Sequence, residues 1–139
     1  MDTTVATHLA QRLGEKSTVL SHRVAIRLLA AFPELTYVLQ AESLAASSVQ
    51  ERLGQVSVKR LNDVVRAILV FGDPSIAEQE LQWAVGVLPR RGVQHKHQST
   101  MIRWFFDEVT HLELTSDELV LAHQLEHHIL DVVERVYAA

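Results

Sequence analysis

Residues 73–107 read DPSIAEQELQWAVGVLPRRGVQHKHQSTMIRWFFD. The packing of this stretch decides the fold. Asp73 is a helix-capping residue, and Pro74 suits a first turn because its missing N–H is not needed there. Ile76, Leu81, Ala84, Val85 and Leu88 follow mostly at helical spacing and line one face. Pro89 and Gly92 break this helix. A second one carries Val93, Thr100, Met101, Trp104, Phe105 and Val109 as its stripe. Two amphipathic helices joined by a tight LPRRGV corner must each bury a face against other elements.

The rest of the chain supplies those elements. It has 139 residues, enough for one domain with a proper core, and the expected unit is 1–139. Hydrophobic residues make up 47%, while glycine (5) and proline (3) are few, which suits long helices rather than a many-turned β-sandwich. Cysteine is absent, which excludes disulfides, thiolate–zinc sites, cysteine nucleophiles and thioether-linked cofactors, and fits a cytoplasmic location. A net charge of −4 gives no reason to expect a nucleic-acid partner. The segment MDTTVATHLAQRL lacks the basic start and apolar core of a signal peptide, and no apolar run nears the roughly 18 residues of a membrane span.

In chain order, residues 3 to about 31 predict one long helix or two in line, with Ala6, Leu9, Leu13, Leu20, Val24, Leu28 and Ala31 inward. Gly14 and Ser17 offer a bend. Phe32-Pro33 ends that element, and a short helix runs from Glu34 to Gln40. Ser48 and Glu51 form a capping-box pattern for another short helix, expected to stop near Gly54. Ser57 to Phe71 predicts a long helix with Val58, Leu61, Val64, Val65, Ile68 and Leu69 inward. Thr115 and Glu118 form a second capping box, opening a last helix to about Tyr137 with Leu119, Ala122, Leu125, Ile129, Val132, Val133 and Val136 as its stripe. No strand pattern competes. The expectation is an all-α domain of five long helical segments and one or two short ones.

Between Leu61 and Val109 the order is a long helix ending past Ala67-Ile68-Leu69, a short turn, a helix of about four turns, a Gly92-Val93 corner, and another long helix. This order resembles the globin superfamily, with the helix from Thr115 as that family's last. The resemblance covers most of the chain and rests on spacing and patterning. It places the proximal iron-ligand position at Gly86 or Val87, neither of which holds iron, and the distal position near Ser57. Superfamily members without the proximal histidine include phycobiliproteins, which carry bilins, and haem-free bacterial stress sensors. The resemblance thus implies a non-enzymatic pigment-related or sensory protein holding a bilin or haem non-covalently, since no cysteine is present to attach one. The alternative is a haem-free signalling or dimerisation module with a side-chain-filled pocket. Both kinds of relative associate through terminal helices, so a homodimer is expected.

Five residues are candidates for the cofactor site: Trp83, Val87, Arg90, Arg91 and His97. The tetrapyrrole is expected between the Ser57–Phe71 and Ile76–Leu88 helices. Arg90 and Arg91 read either as solvated charges on a helix dipole or as forked partners for propionates, with Lys59, Arg60 and Arg66 as further cations. His95 and His97, two of eight histidines, lie about 200° apart on a helix and do not chelate one metal together. His97 reads either as a solvated helix-start residue or as a polar wall residue and substitute ligand. His123 and His127 share a face, but no third ligand is placed with them, so a polar outer face is the plainer reading. Trp83, Trp104, Phe105 and Phe106 read mainly as core, with one of them exposed. No Ser/His/Asp order, phosphate loop or paired carboxylate points to catalysis.

Overall fold

The structure, a computed structural model, describes residues 1–42 and 49–138. Its long helices are α1 (Thr3–Glu15), α2 (Ser17–Ala31), α5 (Lys59–Phe71), α6 (Ile76–Val87), α7 (His95–Thr110) and α8 (Ser116–Ala138). Two shorter ones, α3 (Glu34–Glu42) and α4 (Val49–Leu53), lie between α2 and α5. No strand occurs among the described residues. The segment read as one helix or two is two: the helix breaks at Lys16 (φ −101°, ψ 11°), beside Gly14. That raises the long segments from the five expected to six.

Each boundary has a local cause. Asp2 caps α1 by accepting from the Thr4 and Val5 N–H groups. Phe32, ahead of Pro33, ends α2. Asp73 Oδ1 accepts from the Ser75 N–H and hydroxyl, so it organises the turn before α6, which begins at Ile76. Thr115 and Glu118 form the reciprocal capping box at 3.0 and 3.2 Å. Gly72 and Gly92 take left-handed φ values of 62° and 91°, which end α5 and turn the chain into α7.

The α-helix α4 ends at Leu53, next to Gly54 as expected, but the backbone stays helical beyond it. It passes through a π-helical turn, Gly54–Val58, straight into α5, with Leu53, Val58 and Lys59 all in right-handed helical conformation. Gly54 is buried, and a Cβ there would lie 3.2 Å from the Ser21 carbonyl oxygen, so the turn lies tight against α2. The Ser48 capping residue lies outside the described residues.

α1 packs on α5 and α8, α2 on α7 and the π turn, and α6 on α5 and α8. α7 packs between α2 and α8 and buries residues on more than one face, including Ile102, Phe105, Phe106 and Val109. Phe105 and Phe106 meet edge to face at 5.2 Å. At the α1–α5 contact, buried Asn62 donates to the Leu13 carbonyl at 2.9 Å and Arg66 donates to the Ala10 carbonyl at 3.0 Å. Arg66 also lies over Gly14, where a Cβ would sit 2.7 Å from its guanidinium. Among the described residues, no helix is long and apolar enough to cross a membrane.

Candidate functional site

A cavity of about 180 Å³ lies where α5, α6 and α7 diverge. Leu28 of α2, Leu35 of α3, Leu53 of α4 and Ile129 of α8 close it from outside that trio. α5 contributes Arg60, Leu61 and Val64, and α6 contributes Ala77, Glu80, Leu81, Trp83 and Ala84. Leu88 and Val93 flank the corner, and α7 supplies His97, Gln98, Met101 and Ile102. The wall is almost wholly hydrocarbon. Its exposed members are Val56 of the π turn, Arg60 and Trp83, so the mouth lies between that turn, α5 and α6.

The mouth carries the charge. Arg60 Nε donates to Glu80 across the α5–α6 gap, and its guanidinium lies over the Trp83 ring at 4.7 Å. The Glu80 hydrogen bond is the main reason the Arg60 pKa is raised above its ordinary value. Arg60, from the preceding helix, is thus the cation that borders the cavity, and Glu80 is the carboxylate beside it. Sequence reading named Arg60 only as a further cation and passed over Glu80 and Gln98. Glu80 lies three positions from Ala77 and four from Ala84 on the same helical face, which is the signal that places it on the wall.

His97 is 3% exposed and lines the cavity. The Gln94 N–H donates to its Nδ1 at 3.0 Å, and its Nε2 lies 3.0 Å from a Glu34 oxygen. A backbone N–H only donates, so Nδ1 is the acceptor and Nε2 carries the hydrogen given to Glu34. Neither nitrogen keeps a lone pair for a metal while these bonds hold. The His97 hydrogen bond is also the chief reason the Glu34 carboxyl is held below its ordinary pKa, helped by a backbone hydrogen bond at the start of α3. Phe32 packs against the imidazole edge to face at 4.9 Å. Gln98, also buried, donates to the Tyr137 hydroxyl.

Of the five candidates, Trp83 and His97 are on the wall. Val87, Arg90 and Arg91 are not. α6 turns residues 77, 80, 81 and 84 toward the cavity, which leaves Val87 to one side and Gly86 exposed. The two arginines are exposed on a 3-10 turn, Pro89–Arg91, at the C-terminal end of α6. His95 stacks on Tyr137 at 4.3 Å and reaches Glu134 at 3.0 Å. His123 and His127 are exposed on α8, and no group of three or more potential metal ligands occurs among the described residues. Trp104 is half-buried under Arg27, which also pairs with Asp107 and Glu108.

Comparison with protein-family profiles, curated proteins and solved structures returned no match. The functional reading therefore stands on the cavity itself.

Proposed function

We propose that this chain is a haem-free, globin-like ligand-binding module, non-enzymatic and sensory, whose cavity takes the hydrocarbon body of one small molecule. The observation that carries this reading is an apolar cavity in which the one histidine has both nitrogens engaged. Its position between α5 and α6, against α7, is where the globin resemblance sets a prosthetic group. Its size favours something smaller. About 180 Å³ is close to the roughly 150 Å³ engineered cavity that stays dry and binds benzene, and below the roughly 300–1,000 Å³ of sites for larger ligands. A bilin or haem has four pyrrole rings and two propionates. It asks for more room than this, and for partners to two propionates where the lining carries one arginine, Arg60.

Absorbance spectra with haemin and with biliverdin, at on the order of tens of micromolar, test the reading against the tetrapyrrole alternative. The expected result is no saturable spectral change with either pigment. Titration with toluene, followed by NMR of the Ile102 and Ile129 methyl groups, is expected to give saturable shifts. A stoichiometric shift of the haemin or biliverdin spectrum overturns the reading in favour of a tetrapyrrole protein.

A further inference from the structure

The polar groups of the cavity differ in availability. His97 is held at both nitrogens by Gln94 and Glu34, and Gln98 is bonded to Tyr137. A ligand inside the cavity meets hydrocarbon, these occupied groups and the half-buried Ser57 hydroxyl. At the mouth, Arg60 has only its Nε hydrogen committed to Glu80 among the described residues. A guanidinium carries five N–H donors in a planar fork, so four remain on the two Nη atoms.

Resting on the reading of the cavity as a small-molecule site, we propose that its ligand is a small carboxylic acid bound as the anion. A single ring or short branched hydrocarbon fills the cavity, and the carboxylate bonds the Nη donors of Arg60 at the mouth. The sign of the charge follows from what each headgroup has to disturb. An anion adds to Arg60 while the guanidinium keeps Trp83 and Glu80 as partners. A cation reaches Glu80 only at the oxygen that Arg60 leaves free, beside a guanidinium that repels it, and reaches the Trp83 face under Arg60 only by displacing the guanidinium. A neutral polar headgroup has the half-buried Ser57 hydroxyl to meet on the wall, and gains no charge-assisted bond there. Glu80 is the competitor in this arrangement, because its carboxylate shares the same guanidinium and repels a second anion.

The test titrates benzoate, toluene and benzylammonium into the full chain, read by the same methyl resonances. Benzoate is expected to bind about tenfold tighter than either other probe, as a hydrogen bond to a charged group implies. Arg60→Gln is expected to cut the benzoate-to-toluene affinity ratio about tenfold, and Glu80→Gln to raise benzoate affinity several-fold by removing the competing carboxylate. Far-UV circular dichroism checks each variant's fold. Arg60→Lys, which keeps the charge but loses the fork, is the second variant and is expected to retain an intermediate ratio. Benzylammonium binding as tightly as benzoate, or a ratio unchanged in both Arg60 variants, overturns the acid assignment while leaving the small-molecule reading in place. Failure of all three probes to bind overturns both.

Discussion

His97 is fixed by groups from two other segments. Gln94 precedes its helix and is legible as a neighbour in sequence, but Glu34 and Phe32 lie more than sixty residues away. Sequence pattern offered solvent or pocket wall for this residue, and only the docking of α3 over the start of α7 decides for the wall. Glu34 gives this contact a pH dependence. Its folded-state pKa lies below the ordinary 4.5, so the stability it contributes is fully present above that value and is lost as pH falls through the lowered one. The melting-temperature gap between the native protein and Glu34→Gln is expected to be constant near neutrality and to narrow below about pH 4.5. A gap that stays constant down to acid denaturation would show that the carboxylate contributes nothing through His97. Core positions were easier to read, because a periodic face needs no knowledge of its partner. Ile68 and Leu125 were both assigned inward and are 0% and 4% exposed. Ile68→Ala and Leu125→Ala are each expected to cost about 2–5 kcal/mol in urea unfolding, and a neutral result at either site would contradict its burial.

At the scale of elements, the signals that worked were those whose chemistry is local. Thr115 and Glu118 satisfy each other's backbone N–H within one turn, so four residues of sequence suffice to place the start of α8. Thr115→Ala is expected to lower stability by about 0.5–2 kcal/mol, with Thr115→Ser close to unchanged, both read from denaturant midpoints. Glycine at position 54 ends the α-helix α4 without turning the chain away. Its missing side chain lets the π turn approach the Ser21 carbonyl, a long-range contact that a local pattern cannot display. That approach keeps Val56 and Ser57 on the cavity wall. The same limitation moved the facing side of α6. Its apolar stripe is legible in the sequence, but the choice of Gly86 and Val87 rests on the spacing of a resemblance. The helix instead turns Ala77, Glu80, Leu81 and Ala84 inward, on a face set by α5 and α8.

The whole molecule is all-helical, as periodicity and the scarcity of glycine and proline imply, and its core draws on every long helix. The stripes of α1 and α8, the terminal helices through which the resemblance implies a homodimer, are buried within one subunit at Leu9, Leu13, Ile129 and Val133. A dimer through the terminal helices is left with Val120 as the large exposed apolar residue of α8, and light scattering at high micromolar concentration checks it: a monomer mass removes the proposal. The cavity makes a sharper demand on the molecule. An unfilled apolar space costs stability, because the atoms lining it lack partners on one side. If the space is kept for a ligand, filling it should raise stability and abolish binding together, the trade expected where function requires a void. Ala84 is suited to the test, since it is 7% exposed, lies on α6 and borders the cavity. Ala84→Leu is a good helix former of larger volume. It is expected to raise stability by about 0.5–2 kcal/mol and to lose the upward shift of melting temperature that toluene gives the native protein. A variant that is stabilised yet still shifted by toluene places the ligand elsewhere. A variant that is destabilised by about 1–3 kcal/mol shows a space already filled by moving side chains, which sinks the cavity as a binding site.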